Sequence, residues 1–150
     1  MAELEIRKAN EGDVDRIAEL ETLCFSDPWT PEMIWRDVAG NALSTYLVGE
    51  IEGVIVAYVG YWLIWDECQI NNVAVAPDHR RQGYAVKLMQ KVMMDCIRQG
   101  IKDFTLEVRT HNEEAIGLYK SLGFMEEGIR KNYYGKDQDA LLMRYKVLEK

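Results

Sequence analysis

Cysteine, histidine and proline are scarce in this sequence, and long apolar runs are missing. The three cysteines, Cys24, Cys68 and Cys96, are odd in number, far apart and without C-x-x-C spacing. That argues against a disulfide framework and against a zinc site, and a reduced, cytoplasmic compartment is expected. The two histidines, His79 and His111, sit apart, so no metal cluster is expected. The longest apolar run, Val54 to Trp65, is shorter than the roughly 18 residues of a membrane helix, and Gly60 interrupts it. Its Val, Ile, Tyr and Trp content predicts a buried strand instead, so no membrane partner is expected. The first eight residues contain no apolar core of the kind a signal peptide needs. Basic residues are outnumbered, 18 against 25 acidic, for a net charge of -7. A duplex-binding protein carries a basic footprint; here only His79-Arg80-Arg81 is locally basic, and direct nucleic-acid binding is disfavoured. Net acidity suits solubility and a cationic partner equally.

What remains is 150 residues, 48% hydrophobic, with no repeat or linker. That predicts one domain over residues 1–150, large enough to need no staple. A strand is expected at Leu4–Lys8. Val14, Ile17, Ala18 and Leu20 give Asp13–Cys24 an amphipathic helical period. Thr30 before Pro31 is a cap followed by a first-turn proline, which starts a short helix to about Val38. Thr45–Glu50 and Val54–Ile64 read as a hairpin turned at Glu52-Gly53, and Gln69–Ala76 as a further strand. From Tyr84 the residues Ala85, Leu88, Met89, Val92, Met93 and Cys96 take helical spacing, ended by Gly100. Asp103–Arg109 alternates, with Phe104, Leu106 and Val108 on one face and Thr105, Glu107 and Arg109 on the other. Asn112 caps a helix closed by Gly123. Strands near Phe124–Asn132 and Ala140–Val147 flank a turn-rich Tyr134–Asp139. The order β-α-α-β-β-β-α-β-α-β-β predicts a mixed α/β sheet.

The loop after Gln69–Ala76 carries the first chemical signal. Arg80-Arg-Gln-Gly-Tyr-Ala85 leads from a strand into a helix. Unpaired N–H groups and the helix dipole at such a start favour anions. Gly83 admits close backbone approach, Ala85 is small, and Arg80 and Arg81 add charge for phosphates. Neither a Walker loop nor a Rossmann G-x-G-x-x-G is present. By itself the loop reads equally as an ordinary connection with solvated arginines.

Arg80-Arg81-Gln82-Gly83-Tyr84-Ala85 resembles the Q/R-x-x-G-x-G/A acetyl-CoA signature of the GNAT acyltransferases, with alanine in the last place, where glycine is commoner. Asn112 to Phe124 is similar to the N-x-x-A-x-x-x-Y-x-x-x-G-F block of the same family. Phe25-Ser-Asp-Pro-Trp-Thr30, Leu106-Glu-Val-Arg109 and Arg130-Lys-Asn-Tyr-Tyr134 resemble its RimI branch, which acetylates the N-terminal alanine of a small-subunit ribosomal protein. The resemblance implies a single-domain GNAT fold, mostly antiparallel and flanked by helices. It also implies acetyl-CoA as co-substrate, no metal, and a basic protein N terminus, that of a ribosomal protein, as partner.

It further implies site residues. Coenzyme contacts fall on Val73, Ala74 and Val75, whose backbone would meet the pantetheine arm, on Arg80, Arg81, Gln82, Gly83, Tyr84, Ala85 and Val86, and on Asn112. Glu107 takes the place of the general base and Tyr119 that of the acid near the departing sulfur. Trp29, Tyr133 and Tyr134 border the acceptor cleft, with Glu67 a second acidic candidate. Plainer readings exist for each: a solvated or Arg109-paired Glu107, a core Tyr119, a purely capping Asn112 and packing aromatics. The chemistry favours a terminal amine. Its pKa of about 7.7–8.0 lies about 2.5 units below that of lysine, roughly 3.5 kcal/mol easier to deprotonate. Two alternatives are a GNAT enzyme acting on a small amine or lysine and a non-catalytic acyl-CoA-binding module.

Overall fold

The computed structural model describes residues 3–147. One seven-stranded sheet runs in the order β1-β2-β3-β4-β5-β7-β6. Its strands are β1 (Glu5–Lys8), β2 (Ser44–Ile51), β3 (Val54–Ile64), β4 (Glu67–Val75), β5 (Asp103–Arg109), β6 (Met125–Gly135) and β7 (Gln138–Lys146). Four helices cover it: α1 (Val14–Cys24), α2 (Pro31–Gly40), α3 (Tyr84–Arg98) and α4 (Glu113–Ser121). All neighbouring strands pair antiparallel except β4 and β5.

Two cores lie on opposite faces. On one, Ile17 and Leu20 of α1 and Ile34 of α2 pack against Tyr46, Val48, Tyr58 and Ala74. On the other, Leu88, Met89, Val92 and Cys96 of α3 and Tyr119 of α4 pack against Val59, Ile70, Phe104, Leu106 and Met143. β3 has helices over both faces, which is why its sequence is continuously apolar rather than alternating. Each large side chain fully buried here contributes about 1.5–3 kcal/mol.

The expected elements are all present, with three corrections. The apolar run does not stay buried to its end: Trp65 is 96% exposed on the β3–β4 turn, at φ +59. The segment Tyr134–Asp139 is mostly strand, because β6 runs to Gly135 and only Lys136 and Asp137 turn the hairpin. α2 continues two residues beyond Val38, to Gly40. At its start Thr30 Oγ1 accepts from the Met33 N–H at 3.2 Å, the predicted cap.

Candidate active site

The site begins with a flaw in β4. Register against β3 jumps from Gly60↔Asn72 to Tyr61↔Ile70, leaving Asn71 as an extra residue. A bulge bends its strand. On the other side β4 pairs with β5 only from Glu67↔Asp103 to Ile70↔Leu106. Beyond that point the two strands separate into a wedge. Ala76 N–H bonds the Val56 carbonyl of β3 at 2.8 Å. Alternation therefore turns the N–H and C=O groups of Val73 and Val75 toward the wedge.

Two cavities meet across this opening. The smaller, about 430 Å³, is lined by Val73, Ala74, Val75, Arg80, Arg81, Gly83, Tyr84, Ala85, Val86 and Asn112. Gln82, the remaining residue of that predicted set, is exposed and accepts from the Tyr84 hydroxyl at 3.0 Å instead of lining the cavity. Gly83 precedes α3 at φ +78, with no side chain capping the helix and nothing within 4 Å of where a Cβ would stand. Arg81 also takes a positive φ, +65. Arg80 Nε donates to the Val75 carbonyl at 3.2 Å, so this arginine ties the loop to the end of β4. An uncapped helix start beside two arginines fits a phosphate group. Asn112 Oδ1 accepts from the Ala115 N–H at 3.1 Å and so caps α4 while bordering both cavities.

The larger cavity, about 970 Å³, is lined by Trp29, Glu67, Glu107, Tyr133 and Tyr134. Tyr119 lines both. Glu107 is largely enclosed, its side chain 15% exposed, with Oε1 3.2 Å from Arg130 Nη1 and Oε2 buried without a partner. Its cation is thus Arg130, not Arg109. Arg109 stacks over the Tyr134 ring at 4.3 Å and bonds Gln138. β6 leaves its ladder with β7 between Arg130 and Gly135, where Asn132 takes φ +56. That irregular stretch brings Tyr133 and Tyr134 together edge to face, 5.0 Å apart. Burial, then the Glu107 charge, raises both phenols, Tyr134 to about 12. Burial, with a smaller contribution from Tyr134, pushes Tyr119 up to about 12. The turn at Gly123 (φ +100) folds Phe124 back so that its ring meets Tyr119 at 6.0 Å.

Glu67 is held by Arg144 at 3.2 Å, and the same arginine bonds Asp103 and Glu127. Glu67 lines the larger cavity while making this ion pair. Trp29 N–H donates to Glu21 Oε1 at 2.9 Å, and the Tyr58 hydroxyl donates to Glu21 Oε2. Glu21 is 1% exposed, and burial raises its pKa. Sequence reasoning assigned no role to Glu21, Asn71 or Arg130. Glu21 sits on the buried stripe of α1, where a carboxylate among apolar positions is itself a signal. Asn71 and Arg130 depend on a bulge and on a contact across β7, which no local pattern reports.

An opened sheet, an uncapped helix start beside two arginines and an enclosed carboxylate thus surround two adjoining cavities. The chain belongs to the acetyltransferase (GNAT) family, whose model matches residues 14–124, and it is an N-acetyltransferase. Members of the family use acetyl-CoA. Among named relatives, the Escherichia coli K12 [ribosomal protein bS18]-alanine N-acetyltransferase is 32% identical over 136 residues, 87% of this chain and 89% of that protein. The Mycobacterium tuberculosis N-alpha-acetyltransferase RimI is 33% identical over 139 residues, covering 88% of this chain and 85% of that one. The crystal structure of the Escherichia coli ribosomal-protein-S18-alanine N-acetyltransferase superposes with a TM-score of 0.90 at 27% identity, covering 99% of this chain and 96% of that one.

Proposed function

We propose that this enzyme acetylates the α-amine of a protein N terminus, that of alanine on ribosomal protein bS18, in the cytoplasm. The observation that carries the reading is Glu107: a carboxylate nearly enclosed in the larger cavity, with one oxygen unpaired, on the opposite side of the wedge from the helix cradle. The names and extent of the relatives support the acceptor. Arg81, Gly83 and the start of α3 hold the coenzyme's phosphates, and the backbone of Val73 and Val75 meets its amide-bearing arm. Bound there, acetyl-CoA supplies an acetyl group activated as a thioester.

Glu107 Oε2 takes a proton from the terminal ammonium, directly or through water, which frees the nitrogen lone pair for attack. Tyr119 then offers its O–H to the departing sulfur. With the phenol near 12, complete proton transfer to an ordinary thiolate near 8.5 is uphill by about 5 kcal/mol. Tyr119 therefore acts as a hydrogen-bond donor that strengthens as charge develops. Arg130 holds Glu107 in place, and the net charge of -7 favours a basic peptide.

The test is incubation with acetyl-CoA and a basic peptide that begins with alanine and contains an internal lysine, followed by fragment mass analysis. Acetate on the terminal amine is expected; acetate on lysine alone, or none, overturns the acceptor. Glu107→Gln should lower kcat about 10²–10⁴-fold with little change in acetyl-CoA affinity. Equal loss of both would remove Glu107 from the chemistry.

A further inference from the structure

Two buried polar atoms in the larger cavity have no protein partner: Glu107 Oε2, an acceptor, and Asn71 Nδ2, a donor. They occupy equivalent places in the fold. Ile70 and Leu106 form the last parallel pair of β4 and β5, and both are buried in the core. Asn71 and Glu107 are the next residue on each strand. Alternation sends Glu107 to the face opposite that core, and the side chains of both residues line the cavity. Both follow directly on the last paired residues, so the two side chains flank the mouth of the wedge. Asn71 is also the bulged residue, without a partner across β3, and bulges re-aim side chains.

A buried donor left unmade costs about 1–3 kcal/mol. An apolar residue would avoid that cost, so the amide points to a ligand with a matching acceptor. That acceptor must stand beside the group that Glu107 deprotonates. The first residue of a peptide meets the requirement. Its carbonyl oxygen is held within about 3.5 Å of its α-nitrogen by two covalent bonds and the carbonyl itself. A lysine ε-amine has no carbonyl at that distance.

We propose that Asn71 determines specificity for α-amines, its Nδ2 donating to the first carbonyl of the acceptor peptide while Glu107 engages the adjacent amine. This rests on the reading of Glu107 as the base. Asn71 and Glu107 together measure the N–Cα–C=O unit, whatever side chain the first residue carries.

The experiment compares two acceptors: a basic peptide beginning with alanine, and its analogue in which an (E)-alkene replaces the first peptide bond, keeping shape and removing the carbonyl. Each is assayed with wild type, Asn71→Leu and Asn71→Asp, with acetyl-CoA affinity as the check on folding. If the alkene turns over too slowly, its inhibition constant serves instead. Wild type should prefer the true peptide by about 10- to 100-fold. Both variants should lose most of that preference by a fall on the true peptide alone, with acetyl-CoA affinity unchanged. Asn71→Asp decides the matter if Asn71→Leu fails to fold. In a variant that still binds acetyl-CoA, an unchanged preference or an equal fall on both acceptors overturns the assignment. If wild type transfers nothing to α-amines, the function reading falls and this inference with it. If wild type transfers normally and the preference survives in the variants, this inference alone falls.

Discussion

Tyr119 is buried at 9% exposure between two cavities, and its surroundings set what it does. Burial holds its proton to about pH 12. Between the ordinary phenol value of 10 and that figure, the folded state keeps a proton that the unfolded chain releases. Its contribution to stability is therefore full below pH 10 and is lost as pH rises toward 12. Tyr119→Phe should reduce kcat about 10- to 100-fold. Wild-type kcat should show no alkaline fall from this phenol up to about pH 11. A descending limb near pH 10 that vanishes in the phenylalanine variant would contradict the enclosed, neutral donor. The side chain was legible in sequence because it lies in a spaced block with Asn112 and Gly123. Its chemistry was less so: apolar spacing shows that a tyrosine is buried, not that it borders a cleft.

At the scale of elements, the loop before α3 lends itself to a clean test. A Cβ at position 83 meets nothing within 4 Å, so only its left-handed backbone, φ +78, resists substitution. Gly83→Val should cost folding about 1–2 kcal/mol. The proposed phosphate cradle puts the larger effect on the coenzyme: acetyl-CoA Kd should rise by about tenfold or more, with kcat at saturation little changed. A fall in kcat without weaker binding would place the phosphates elsewhere. Boundaries were readable wherever a residue has a chemical reason to stop or start an element. Thr30-Pro31, Glu52-Gly53, Asn112 and Gly123 all do so. The misread end of β6 has the opposite cause. Its turn-forming residues Asn132 and Asp137 bond one another, Asp137 N–H to Asn132 Oδ1 at 2.8 Å, within a strand that returns to its ladder at Gly135. The bulge at Asn71 has no sequence signature either, because it is a mismatch between two strands rather than a property of one.

Across the whole molecule, ion pairs stitch the first strand to later parts of the chain. Arg7 makes two 2.8 Å bonds to Asp13 and also bonds Glu50. Hydrogen bonding by Arg7 holds the Asp13 carboxyl below its usual 3.8. That stability is present above 3.8 and is lost as pH falls through the lowered value. Asp13→Asn should lower Tm near neutrality, and its unfolding curves between about pH 5 and about pH 2 should depend on pH less steeply than those of wild type. Identical slopes would show that the pair contributes nothing.

The opened sheet has a mechanical consequence. Four parallel ladder pairs, two N–H bonds from Lys102 and Asp103 to the Asp66 carbonyl and the Arg144–Glu67 ion pair join β1–β4 to β5–β7 at one end of the seam. On one margin, the backbone groups of Val73 and the N–H of Val75 face the gap without a ladder partner on β5, while the Val75 carbonyl accepts from Arg80 and Cys24. A molecule laying amides along that margin works as a keystone, bracing two half-sheets that otherwise hinge on a short join. At a concentration 100 times Kd it should add about 2.7 kcal/mol of stability. Hydrogen exchange should slow most at Glu67–Ile70 and Asp103–Leu106, away from the start of α3. The 3′-phosphorylated adenosine diphosphate half of coenzyme A, lacking the amide arm, should protect the start of α3 and leave that seam breathing.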